Sequence, residues 1–170
     1  DTGGQIVYVL ELARHLAKRD VMVDIYTRWF EGKDRIEVVG PGVRIIRIPC
    51  GGTSFIPKEL LFPYFSEFTY NMEEYIRDEK LSYDVFHSHY WDAGFVAMEL
   101  AERFHTYFIH TSHSLGILKK KQMQDTVENE ERFFFTRRIS SEKKIFDAAR
   151  SIIVSTPTEM DDYIRDYDIK

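Results

Sequence analysis

With 170 residues, 44% apolar and 15% aromatic, the chain is long enough to bury one substantial core, and a single domain is expected. Its net charge of −5, with Lys and Arg scattered along the sequence, excludes the basic face of a nucleic-acid-binding module. No apolar run approaches membrane-spanning length, and the lone Cys50 excludes an intrachain disulfide framework and fits a reducing, cytoplasmic setting.

The chain opens on Asp1-Thr2-Gly3-Gly4-Gln5 and runs straight into apolar residues at 6, 9, 10, 13, 16 and 17, which is helical spacing closed by Lys18-Arg19. Two glycines before a helix leave bare N–H groups at its positive end, an arrangement that suits phosphate. Such a turn normally follows a strand, and none precedes it here. The sequence therefore reads as a piece of a longer protein, lacking its opening strand.

Val21, Val23 and Ile25 alternate as a strand ending near Arg28, and Val43–Ile48 forms a second, stopped by Pro49 and Cys50-Gly51-Gly52. Gly32, Gly40 and Gly42 between them mark a loop or hairpin rather than a crossover helix. A helix is expected from Lys58 to Arg77, with Leu61, Phe65, Phe68, Met72 and Ile76 on one side and a kink or restart at Pro63. A strand over Tyr83–Phe86 leads into His87-Ser88-His89, and a helix follows from Asp92. Thr106–Ile109 is the next strand and empties into Thr111-Ser112-His113-Ser114-Leu115-Gly116. A long helix over Glu128–Ala149, a strand over Ser151–Ser155 and a helix after Pro157, capped by Thr156 or Thr158, complete the chain.

Strands alternating with helices predict an α/β fold with a Rossmann-like, doubly wound, mostly parallel sheet, in which ligands bind beyond the carboxyl ends of the strands. The unusual residues sit at those ends: Gly3-Gly4, Arg28, Gly51-Gly52, His89, His113 and Thr156. His87 and His89 suggest a metal, but no third ligand with suitable spacing accompanies them, so no metal site is expected. The three-glycine dinucleotide fingerprint is absent, which counts against a dehydrogenase.

The ordered segments resemble the sucrose-phosphate synthase group of retaining glycosyltransferases. The resemblance rests on Asp1-Thr2-Gly3-Gly4-Gln5 with Tyr8 and Glu11-Leu12-Ala13, on Ile48-Pro49-Cys50-Gly51 with Pro57-Lys58-Glu59, and on His87-Ser88-His89-Tyr90-Trp91-Asp92-Ala93-Gly94. It continues through His113-Ser114-Leu115-Gly116 with Lys119, Arg137-Arg138-Ile139 and Ser155-Thr156-Pro157, and so covers the whole chain. Trp91-Asp92-Ala93-Gly94, Gly116-Ile117 and Lys119-Lys120 look most like the bacterial mannosylfructose-phosphate synthase branch.

That resemblance implies a GT-B architecture. Residues 1–170 would be the acceptor-side domain, and the donor-binding C-terminal domain would lie outside this chain, which alone is expected to be inactive. It implies transfer of a hexose from a nucleotide-diphosphate sugar, UDP-glucose or GDP-mannose, to fructose 6-phosphate with retention. No cofactor is expected in this domain, and the residues assign no divalent cation. Gly3, Gly4 and Gln5 would contact the donor diphosphate, and His113 would stand at the reaction centre.

A sugar phosphate in a cleft needs converging cations. The resemblance implies Lys58, Ser114, Lys119 and Arg138 for that cradle, with Arg137 as neighbouring candidate and Arg28 as a weaker one. His89, Tyr90 and Asp92 would line the acceptor pocket, although Asp92 equally fits a helix cap. Arg137 and Arg138 cannot both face one way on a helix. Glu59 and Glu67, spaced like the family's donor-domain glutamates, are read as coincidence, and Phe133-Phe134-Phe135 as core. Two alternatives stand beside this reading: a non-catalytic sugar-phosphate-binding or regulatory domain, and a sucrose synthase-type enzyme that takes free fructose.

Overall fold

Strands and helices alternate through residues 3–123 and 126–169, the residues that the computed structural model describes. Asp1 and Thr2, which begin the motif at the start of the chain, lie outside them. The chain divides into two compact units, Asp1–Lys80 and Leu81–Lys170.

In the first unit, α1 (Gly4–Ala17) precedes β1 (Val23–Arg28), β2 (Ile36–Gly40) and β3 (Val43–Ile48), joined in the order β1-β3-β2. β1 pairs with β3 in parallel, and β2 pairs with it antiparallel, which is the hairpin that the glycines between the two expected strands allowed. As the central strand, β3 is covered on both faces, so Val43, Ile46 and Ile48 are buried. Its arginines are neutralised in place: Arg44 donates two hydrogen bonds to the Asp24 carboxylate, and Arg47 reaches Glu37 and the Asp34 carbonyl.

The helix expected over Lys58–Arg77 is divided. Single 3-10 turns at Lys58–Leu60 and Phe62–Tyr64 precede α2 (Phe65–Asp78). Pro63 lies in the second turn, so the helix restarts after it. The buried face of α2 is Phe65, Thr69, Met72 and Ile76; Phe68 stands half out, and the Thr69 hydroxyl is satisfied by the Phe65 carbonyl.

The second unit carries a parallel sheet in the order β4-β5-β6, made of β4 (Val85–His89), β5 (Tyr107–Thr111) and β6 (Ser151–Ile152). Helix α3 (Trp91–Arg103) packs on β4, β5 and α6 (Phe135–Ala148). Gly94 makes this close approach possible, because a Cβ there would lie 2.8 Å from Ile145 Cδ1 and 3.0 Å from His110 Cε1. β6 is shorter than the strand expected over Ser151–Ser155. The Ile153 N–H still donates to His110, but the Ser155 N–H turns to the Glu159 carboxylate and Thr156 caps α7 (Pro157–Tyr167).

Two further departures shape the site. The sequence reading did not anticipate α4 (Gly116–Gln122), a short helix whose lysines give no apolar periodicity. The long helix expected over Glu128–Ala149 is two helices, α5 (Val127–Phe133) and α6, parted by Phe134 in the left-handed conformation at φ 51°. Glu130 holds the break, accepting from the Phe134 N–H through its carbonyl and from the Thr136 N–H through its side chain. The break lets Phe135 become buried while Phe133 and Phe134 stay half-exposed beneath cations, with Lys119 Nζ 5.2 Å from the Phe133 ring centroid and Arg137 over Phe134. Of the aromatic triplet read as core, Phe135 alone is fully buried.

Candidate functional site

The parallel pairing of β4 and β5 brings two loops to one end of the second sheet, because His89 lies opposite Thr111 in register. Tyr90 leaves β4 at φ 79° and His113 follows β5 at φ 61°, both left-handed conformations that cost a non-glycine residue on the order of 1–3 kcal/mol. The Tyr90 N–H donates to the Thr111 carbonyl, which fastens one loop to the other. His89 Nδ1 then lies 3.0 Å from His113 Nε2, while the His87 ring stacks near His89 and its Nε2 meets the Thr111 hydroxyl at 2.9 Å.

This end of the sheet holds its histidines neutral. Burial lowers His87 to about 4 and His89 to about 3, with neighbouring imidazoles adding to the effect. Burial also lowers His113, against the pull of the Glu159 carboxylate. Behind them, His110 is likewise lowered to about 4 and sits in a buried chain: Ser88 Oγ at 2.7 Å from Nδ1, Ser112 Oγ at 3.0 Å from Nε2, and the Tyr163 hydroxyl donating to Ser112 at 2.6 Å. Among the described residues, no group of three or more His, Cys, Asp or Glu side chains is placed to hold a metal ion.

Beside the histidines lies a guanidinium. Arg138 donates from Nη1 to the Tyr90 hydroxyl at 2.9 Å and from Nη2 to the Ser114 carbonyl and hydroxyl at 2.8 and 3.0 Å, and it stacks over the Tyr90 ring. Three candidates from separate segments therefore meet in space. Arg137 does not join them; it is exposed on the adjacent face of α6 and packs over Phe134. This is the one-of-two outcome that helical geometry requires. Lys119 projects from α4 over Phe133. Asp92 lies in the first turn of α3, half-buried, and accepts the Ala93 N–H through its side chain.

Glu142 was missed in the sequence. It is wholly buried and accepts from Arg138 Nε at 2.8 Å, from the Gly116 N–H at 3.0 and 3.1 Å, and from the Tyr167 hydroxyl. Burial pushes its carboxyl up, against the opposing pull of Arg138; burial and this carboxylate together push the Tyr167 hydroxyl well above the usual phenol range. The signal was available: Phe135, Arg138, Glu142 and Ile145 fall at 3, 4 and 3 residue steps, one stripe of a helix whose other members are apolar and buried.

The remaining candidates lie in the first unit. Gly3 caps α1, which begins at Gly4. Neither glycine has a positive φ, and among the described residues a Cβ on either would meet nothing within 4 Å. Packing among the described residues therefore does not account for the pair. Lys58 opens the first 3-10 turn and is exposed. Arg28, read as a further cation for a phosphate, is instead buried and folded onto the loop after β3, donating to the carbonyls of Cys50, Gly52 and Ser54. Glu67 accepts the Gly51 N–H of the same loop, a structural task that accounts for it.

Over residues 3–170 the chain matches the glycosyl transferase 4-like domain. It is 45% identical to a mannosylfructose-phosphate synthase from Agrobacterium fabrum, covering all of this chain (100%) and 38% of that protein. It is 37% identical to a D-inositol 3-phosphate glycosyltransferase from Corynebacterium diphtheriae, covering 99% of this chain and 39% of the other. Among solved structures, a sucrose-phosphate synthase from Thermosynechococcus elongatus superposes with a TM-score of 0.85 at 32% identity, covering 97% of this chain and 40% of that one. The chain thus spans about two fifths of the length of these proteins.

Proposed function

Because the chain belongs to the glycosyl transferase 4-like family, we propose that the protein carrying it transfers a hexose from a nucleotide-diphosphate sugar to a phosphorylated acceptor, fructose 6-phosphate, with retention at the anomeric carbon. The chain as a whole is the acceptor-side domain and is inactive alone; the donor is held by a further domain outside it. A single buried cysteine suits the cytoplasmic setting of such an enzyme. Similarity to the Agrobacterium fabrum protein favours a product of the mannosylfructose-phosphate kind, and GDP-mannose and UDP-glucose both stand as donors.

The observation that carries the proposal is the meeting of Arg138, Ser114 and Tyr90 at the ends of β4 and β5. The guanidinium supplies positive charge, and the Tyr90 and Ser114 hydroxyls that accept from it have their own O–H groups to donate to a phosphate. Lys119 adds a point charge from α4. Arg137, pointing elsewhere, takes at most an outer share of the charge. His89 and Asp92 contact acceptor hydroxyls. His113, neutral and held at an unusual backbone conformation beside His89, stands at the reacting carbon, where a neutral imidazole orients the sugars without adding charge.

In the first unit, the N–H groups after Gly3 at the start of α1, with Gln5, receive the donor diphosphate, where the helix dipole stabilises the negative charge that builds on the leaving group. In front-face transfer the acceptor oxygen bonds to the anomeric carbon as the bond from that carbon to the diphosphate breaks, and the departing diphosphate takes the acceptor proton. The protein's own task is orientation and charge stabilisation.

The test is an acceptor comparison with the full-length protein and each donor in turn, using fructose 6-phosphate, free fructose and inositol 3-phosphate. Transfer to fructose 6-phosphate, with free fructose poor, supports the proposal. Equal use of free fructose contradicts the phosphate cradle, and exclusive use of inositol 3-phosphate moves the acceptor to the inositol class.

A further inference from the structure

The stripe of α6 that faces the core carries, between Phe135 and Ile145, a buried ion pair. The Arg138 and Glu142 side chains are 4% and 1% exposed, with Nε 2.8 Å from Oε1. Such a pair adds little net stability over apolar residues of similar volume, because both charges lose their water. Its placement calls for another reason, and the division of the guanidinium supplies one. The Nε edge is taken by the Glu142 carboxylate, while both terminal nitrogens are directed to Tyr90 and Ser114. A guanidinium is planar, so fixing one edge fixes the direction of the other.

Glu142 is itself held from three sides. It accepts the Gly116 N–H at the start of α4 and the Tyr167 hydroxyl from α7, and Tyr167 in turn accepts the Ile117 N–H. Space around it is tight: a Cβ on Gly116 would lie 2.7 Å from Glu142 Oε2 and 3.2 Å from Arg138 Nε. The carboxylate therefore has one rotamer, and through it Arg138 has one orientation.

We propose that Glu142 is a positioning residue that orients the Nη edge of Arg138 toward Ser114 and Tyr90 for the acceptor phosphate. The inference rests on the acceptor reading above. Glu142 contributes geometry rather than attraction, since its own charge opposes an anion. Glu142→Gln keeps an oxygen acceptor at the Nε edge; Glu142→Asp keeps the charge but withdraws it by one methylene; Glu142→Ala removes both.

Steady-state kinetics of the full-length protein, with folding checked by circular dichroism, separates the roles. Glu142→Ala and Glu142→Asp should raise KM for fructose 6-phosphate by about tenfold or more, the scale for truncating one partner of a buried hydrogen-bonded charge pair. KM for the nucleotide sugar should stay within about twofold, and Glu142→Gln should restore acceptor KM to within about threefold of wild type. If Glu142→Ala does not fold, the contrast between Asp and Gln decides alone. Unchanged acceptor KM in Glu142→Asp overturns the inference, as does a rise in both substrates' KM values together. A wild-type protein with no saturable dependence on any sugar phosphate overturns the acceptor reading, and the positioning role with it.

Discussion

His89 Nδ1 and His113 Nε2 face each other at 3.0 Å across the ends of β4 and β5, two imidazoles that burial keeps neutral. One ring must donate and the other accept, so each fixes the other's tautomer and plane. On the proposal that His113 stands at the reacting carbon, His113→Ala in the full-length protein should lower kcat by about 10²-fold or more while acceptor KM changes by less than about threefold. Steady-state kinetics with both substrates varied checks this. Normal turnover would remove His113 from the chemistry.

The two cationic neighbours on α6 should differ sharply. Arg138→Ala removes the group that joins Tyr90 to Ser114, whereas Arg137→Ala removes an exposed side chain lying over Phe134. Acceptor affinity should fall by about 2–5 kcal/mol for Arg138→Ala and by less than about 1 kcal/mol for Arg137→Ala. Equal losses, measured by acceptor titration, would mean that Arg137 reaches the phosphate as well.

Lys119 sits with its ammonium over Phe133, half-buried on α4. Lys119→Ala should weaken fructose 6-phosphate binding by about 1.5–3 kcal/mol, the range for hydrogen bonds to charged groups. The loss should shrink as ionic strength rises. Unchanged affinity would remove Lys119 from the cradle.

The buried histidines make stability depend on pH. His87, His89 and His110 are depressed from 6.5 to about 4, 3 and 4 respectively, so the folded state binds fewer protons than the unfolded chain below neutral pH. Their contribution is complete above the unfolded value and is lost as pH falls from 6.5 through the folded values. Glu142 acts oppositely: with its carboxyl raised, it favours folding more as pH falls, but it is one group against three. Urea denaturation at pH 7.5 and pH 5 should show a loss of about 2 kcal/mol or more at the lower pH. A flat profile would contradict neutral burial.

Gly94 is the point at which α3 meets Ile145 of α6 and His110 of β5. Gly94→Ala should destabilise the fold by about 1–3 kcal/mol through overpacking, outweighing the gain in helix propensity. Thermal denaturation measures this directly. A rise in Tm would show that α3 and α6 separate at little cost.

Much of this was legible from pattern alone. Apolar patterning located β1, β3, β4 and β5, the last two shifted by one to three residues from the expected ranges, and it set glycine, histidine and threonine residues at or beyond the strand ends. What stayed hidden depended on contacts between distant segments. α4 has too few apolar residues to show a period, and the break at Phe134 rests on a Glu130 capping contact that spacing does not report. Arg28 and Arg138 both read as cations beside strand ends. Only packing shows that the first is held by main-chain carbonyls and the second by a carboxylate, a tyrosine and a serine.

The most direct test is calorimetric titration of fructose 6-phosphate, and separately of fructose, into the full-length protein and its Arg138→Ala variant. Saturable binding of the phosphorylated sugar alone, lost in the variant while circular dichroism is unchanged, is the expected result. Binding of fructose with equal strength, or fructose 6-phosphate affinity that survives loss of Arg138, would contradict it.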